Sequence, residues 1–124
     1  HFKKNSAIVI LSSIGTRTVA DQNEIYHLTR AALESLTKYY ACKLGSLGVR
    51  VNCIQPGKIL KKENIKYFKT KYKKNRKIIE NITPLKKMGT SKDIANVVDF
   101  LTSGSRPKLP VNDINNICTL LLNN

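Results

Sequence analysis

Acidic residues are scarce in this chain: 8 Asp and Glu stand against 22 Lys and Arg, for a formal net charge of +14. Such a balance suits nucleic acid, an acidic surface or an anionic substrate. The simplest reading is compositional, because Lys outnumbers Arg and Asn is abundant, as an A+T-rich genome produces. No apolar run approaches the roughly 18 residues of a membrane span, so no membrane partner is expected. No charged-then-apolar leader stands at the front. Cysteine is limited to Cys42, Cys53 and Cys118, an odd number without metal-ligand spacing. Buried, reduced thiols in a cytoplasmic protein, and no metal, are the expectation. Neither an internal repeat nor a linker is visible, so residues 1–124 read as a single domain. At 41% hydrophobic and 24% charged, it is globular rather than disordered. The chain begins at His1 rather than Met, and a fragment of a longer protein is expected.

What is present is organised as α/β. Ser6–Leu11 is a short continuous apolar run, as in a parallel strand buried on both faces. From Glu24 to Leu44 the chain reads as one long helix with two apolar stripes. Ile25, Leu28, Ala32, Leu36 and Tyr39 form the first; Leu33, Leu36, Tyr40 and Leu44 form the second. Two stripes predict cover on two sides. Gly45 and Gly48 stand where left-handed caps are wanted. Val49–Gln55 is a second strand, rich in β-branched residues, and Pro56-Gly57 stops it. Strand, helix and strand with short links make a βαβ unit with parallel strands. Lys58–Lys77 carries ten Lys and Arg and one acid, Glu63. Its Ile65, Phe68 and Tyr72 predict a basic amphipathic helix or helix pair, broken at Thr83-Pro84. Thr90 and Asp93 resemble a capping box that opens a helix through Ile94, Val97, Val98 and Leu101. Ile117–Leu122 is expected to be a last strand.

One constellation carries chemistry. The first strand ends in Ser12-Ser13, Tyr26 follows thirteen residues after Ser13, and Arg30 lies four residues beyond Tyr26. Tyr26 and Arg30 share a helix face. Strand end and helix start meet at the carboxyl edge of the sheet, where ligands bind in open α/β folds. Hydride transfer to a carbonyl leaves an alkoxide that needs a proton, which a phenol can supply. A cation about 4 Å from a phenolate stabilises it by roughly 4 kcal/mol at an effective dielectric near 20. A serine hydroxyl can hold the carbonyl oxygen.

These residues resemble the short-chain dehydrogenase/reductase family. The family shows a Ser, then Tyr-x-x-x-Lys, then a helix and a strand closing in Asn-x-x-x-Pro-Gly. Here Ser13 is followed by YHLTRAALESLTKYYACKLGSLGVRVNCIQPG, with Asn52 and Pro56-Gly57 in place. PLKKMGTSKDIANVVDFL resembles the family's helix before its last strand. The resemblance runs from Ser6 to Leu101 and implies the C-terminal part of a Rossmann-like oxidoreductase: strand, helix, strand, lid helices, helix, last strand. It implies NAD or NADP as cofactor and a small carbonyl or alcohol substrate, possibly a sugar. Ser13 would position the carbonyl, Tyr26 would be the general acid/base, and Arg30 stands where the family has its Lys. Pro56, Gly57 and Ile59 would line the nicotinamide, with Tyr26 and Arg30 also touching the cofactor. Residues 58–82 would be the substrate lid, and the long helix 24–44 would join subunits of a homo-oligomer.

Departures qualify the resemblance. Arg30 keeps the charge but cannot cycle a proton. Lys61 stands where the family often has a phosphate-binding Thr. The family's Gly-Gln and Asp-Gly-Gly are missing from a tail, 102–124, that reads as divergent. No Gly-x-x-x-Gly-x-Gly occurs, so the nucleotide phosphates find no glycine-rich loop and the 124 residues alone are expected to be inactive. A non-catalytic remnant of the family is therefore the alternative. A basic nucleic-acid-binding module is a third reading, resting on charge without a recognised motif, and nucleic acid is not the expected partner.

Overall fold

The computed structural model describes residues 3–18, 22–61, 65–66 and 73–103. Strand β1 (Ala7–Leu11) leads through a 3-10 turn (Ile14–Thr16) to helix α1 (Glu24–Gly45), then to β2 (Arg50–Ile54). β1 and β2 pair in parallel, Ala7 against Arg50 through Leu11 against Ile54. The ladder runs on past β1, since Ser12 N–H donates to the Ile54 carbonyl at 2.8 Å and Ile14 N–H to the Pro56 carbonyl at 3.1 Å. The expected βαβ unit is thus present, with ends within a residue of those read from apolar patterning.

The core lies on β2. Val49, Val51, Cys53 and Ile54 are buried, joined by Met88 and Leu101. α1 covers the sheet with Leu33, Thr37, Ala41 and Leu44, all buried or half-buried. Its other stripe is not covered within the described chain: Ile25 is 59% exposed, Leu28 65% and Tyr39 56%. Cys42 lies on that side and is exposed, which corrects the expectation of a buried thiol; Cys53 is buried, as expected. Of the two glycines at the helix end, only Gly48 is left-handed, with φ 71°. Gly45 still belongs to α1 and Ser46 caps it in right-handed geometry.

The basic segment departs from the expected helix or helix pair at its start. Ile59–Leu60 is a short strand, β3, because it pairs in parallel with β4 (Gly89–Thr90). A Cβ at Gly89 would stand 2.9 Å from Ile59 Cδ1, so a larger residue there would displace the end of the Ile59 side chain. Helix α2 (Lys73–Ile82) follows and ends where Thr83-Pro84 predicts. Phe68, Tyr72 and the expected last strand, 117–122, lie outside the described residues. Helix α3 (Ser91–Thr102) opens on Thr90 with both halves of the capping box. Arg50 closes its far end: Nη1 donates to the Leu101 carbonyl at 2.6 Å and Nη2 to Thr102 at 3.3 Å. Among the described residues no helix is long and apolar enough to cross a membrane.

Candidate active site

The carboxyl ends of β1 and β2 open into a cleft of about 630 Å³. Every site residue read from the sequence borders it: Ser13, Tyr26, Arg30, Pro56, Gly57 and Ile59.

Ser13 leaves the strand in extended geometry and caps the 3-10 turn, its Oγ accepting from Gly15 N–H at 3.1 Å. Tyr26 sits in the first turn of α1, whose Asn23 cap accepts from the Tyr26 N–H at 2.9 Å. The two side chains converge on Gly15. A Cβ there would lie 3.4 Å from Ser13 Oγ and 3.5 Å from Tyr26 Cε1. The hydroxyl and the phenol ring therefore flank one small space at the sheet edge.

Arg30 is one turn along α1. Its guanidinium lies over the Tyr26 ring, 4.9 Å from the centroid, a cation–π arrangement. Nη1 donates to the Leu11 carbonyl at 3.0 Å, while Nε is buried with no hydrogen-bond partner. The planar fork thus stacks on the ring and ties α1 to the end of β1, uses that a compact ammonium would not serve.

Across the cleft, Pro56, Gly57 and Ile59 present an apolar wall continued by Ile94 of α3. Lys58 and Lys61 line the same cleft as Arg30, and no acidic side chain is among the described residues lining it. An apolar wall with cations in the same lining suits a planar ring carrying a phosphate-bearing tail, so these residues fit a nicotinamide nucleotide.

Several contributors escaped the sequence reading. His27 Nδ1 donates to the Gly15 carbonyl at 2.6 Å; a carbonyl only accepts, so this contact fixes the proton on Nδ1. Glu34 takes hydroxyl bonds from Ser12 and Thr16. Its spacing of four from Arg30 and eight from Tyr26 places it on the same helix face, a signal that was available. Lys58, Ser91 and Ile94 enter the cleft through the β3–β4 pairing, which two-residue strands hide.

A family model described as enoyl-(acyl carrier protein) reductase matches residues 1–108. The chain is 35% identical over 103 residues to tropinone reductase-like 3 of Erythroxylum coca, covering 83% of this chain and 39% of that protein. It is 37% identical over 100 residues to L-rhamnose-1-dehydrogenase of Scheffersomyces stipitis, covering 81% and 38%. Among solved structures, ElxO with NADP bound superposes with a TM-score of 0.73 at 28% identity, covering 85% of this chain and 42% of that one. A glucose/ribitol dehydrogenase of the short-chain type from Brucella melitensis gives 0.72 at 32%, covering 84% and 40%. The chain thus spans about two fifths of the length of the relatives it matches.

Proposed function

Because the chain belongs to the short-chain dehydrogenase/reductase family, we propose that the whole protein transfers hydride between NAD or NADP and a small carbonyl or alcohol. The observation that carries this is the convergence of Ser13 Oγ and the Tyr26 ring on either side of Gly15. A carbonyl oxygen there accepts from both hydroxyls. Ser13 holds the oxygen, and Tyr26 gives up its phenolic proton as the oxygen gains charge. When bound, the nicotinamide supplies the hydride. Arg30 contributes a permanent charge beside the phenol ring, and Pro56, Gly57 and Ile59 form the wall for the nicotinamide.

The cations Arg30, Lys58 and Lys61, with no acid among the described lining, favour a substrate bearing negative charge, an acidic or nucleotide-linked sugar among them. The exposed stripe Ile25, Leu28, Leu36 and Tyr39 supports a homo-oligomer through helix α1. Residues 58–82 act as the lid. Residues 1–124 alone are expected to show no dehydrogenase activity, since most dinucleotide affinity comes from pyrophosphate and adenosine held at a glycine-rich turn. Calorimetry with NADH checks this.

A second reading, a non-catalytic member of the family, is favoured by one contact: Arg30 spends Nη1 on the Leu11 carbonyl. Consumption of NADH and NADPH by the whole protein over a panel of carbonyl compounds separates the two. Turnover that Tyr26→Phe abolishes and Ser13→Ala reduces supports the enzyme. Turnover indifferent to both substitutions sinks the roles given to Ser13 and Tyr26, and no turnover with any compound of the panel favours the second reading.

A further inference from the structure

Two hydroxyls converge on a single oxygen of Glu34. Ser12 Oγ donates to Oε1 at 2.7 Å, and Thr16 Oγ1 donates to the same atom at 2.7 Å. Ser12 precedes Ser13, and Thr16 ends the 3-10 turn that Ser13 caps. Both ends of this short stretch are therefore pinned to one atom on α1. Tyr26, Arg30 and Glu34 follow at intervals of four on that helix, so one rigid element carries the phenol and grips the stretch bearing the serine.

We infer that Glu34 is a positioning residue that holds Ser13 opposite Tyr26, and that it acts as a shared acceptor rather than as a charge. The inference rests on the oxidoreductase reading for its consequence in turnover, and on the hydrogen bonds alone for its consequence in the turn. Each hydroxyl has one hydrogen and a second acceptor in reach. For Ser12 it is the Arg30 carbonyl at 3.1 Å, and for Thr16 the Ser13 carbonyl at 3.1 Å. The Glu34 oxygen, at 2.7 Å from both hydroxyls, is the nearer acceptor. If Glu34 is lost, both hydroxyls fall back on these carbonyls and the chain still folds. The tie lost is the one from Thr16 to α1. A glutamine amide oxygen also has two lone pairs, so it accepts both hydroxyls without charge. A methionine of similar length accepts neither.

The test compares the native whole protein with Glu34→Gln and Glu34→Met. Deuterium uptake at the backbone amides of Ile14 to Arg17 is read by mass spectrometry. Beside it, kcat and KM are followed for NADPH-dependent reduction of 2,3-butanedione, a small diketone probe. Glu34→Met is expected to speed exchange in that stretch about tenfold, the value of one net hydrogen bond, and to lower kcat with little change in KM. Glu34→Gln is expected to restore both to within about twofold of native. Native-like exchange in Glu34→Met overturns the inference, and so does a Glu34→Gln protein that behaves like Glu34→Met. The exchange readout decides whether or not the diketone is accepted. If exchange follows the expected pattern while the native protein turns over no carbonyl compound, the oxidoreductase reading fails and the role of Glu34 in the turn stands.

Discussion

Replacing Arg30 by Lys tests the site at its most unusual residue. The guanidinium lies over the Tyr26 ring at 4.9 Å; giving up that stacking costs about 0.5–1 kcal/mol at a part-exposed site. Nη1 donates to the Leu11 carbonyl at 3.0 Å, and a hydrogen bond from a charged donor contributes about 1.5–3 kcal/mol. Against these losses, the buried, unpartnered Nε disappears, and an orphaned buried donor costs about 1–3 kcal/mol. The terms nearly offset, so Arg30→Lys is expected to shift Tm by a few degrees at most. Turnover responds more strongly. A lysine ammonium released from Leu11 can approach the phenol oxygen and can cycle a proton, which arginine does not. Misplacement by about an ångström costs roughly a hundredfold, so kcat/KM of the whole protein is expected to rise about tenfold to a hundredfold. The assay is kcat/KM against pH for the native protein, Arg30→Lys and Tyr26→Phe on one accepted substrate. If Arg30→Lys is as slow as native at every pH while Tyr26→Phe stays active, the proposed mechanism is wrong.

Gly15→Ala places a methyl 3.4 Å from Ser13 Oγ and 3.5 Å from Tyr26 Cε1. These are ordinary contacts, so the urea midpoint is expected to hold while kcat/KM falls about tenfold or more as the space between the Ser13 hydroxyl and the Tyr26 ring fills. Arg50→Met removes the fork on the end of α3 and is expected to cost about 3 kcal/mol, read by urea unfolding. The Asp93 carboxyl is held below its ordinary value of 3.8, first by the Thr90 hydroxyl and then by the Thr90 backbone N–H, with Lys87 assisting against desolvation. A depressed carboxyl stabilises above its ordinary value and loses that contribution as pH falls through the folded one. The native advantage over Asp93→Asn should therefore be full at neutral pH and vanish in acid, as urea midpoints against pH will show.

The βαβ unit was legible because its signals are local. Continuous apolarity marked β1, periodicity marked α1, and Pro56-Gly57 closed off β2. The cap of α3 was legible for the same reason, since Thr90 and Asp93 are three residues apart. Ile59–Leu60 read as helix because their strand state comes from pairing with Gly89–Thr90, which no neighbouring residue announces. Two apolar stripes on α1 implied cover on two sides, yet a stripe shows only that a face is apolar, not what meets it. The positions of Ser13, Tyr26 and Arg30 around one cleft followed from motif spacing. The engagement of Arg30 with the Leu11 carbonyl did not, because it depends on where a long side chain comes to rest.

The fork of Arg50 also bears on how the cleft can breathe. It joins the first residue of β2 to the last turn of α3, and α3 meets the cleft at its other end through Ser91 and Ile94. A helix clamped at its far end to the most buried strand moves with that strand or not at all, so α3 and β2 belong to one cooperative unit. α3 is then a fixed wall. Through the β3–β4 pairing the same wall extends to Lys58 and Ile59, which line the cleft with Ser91 and Ile94.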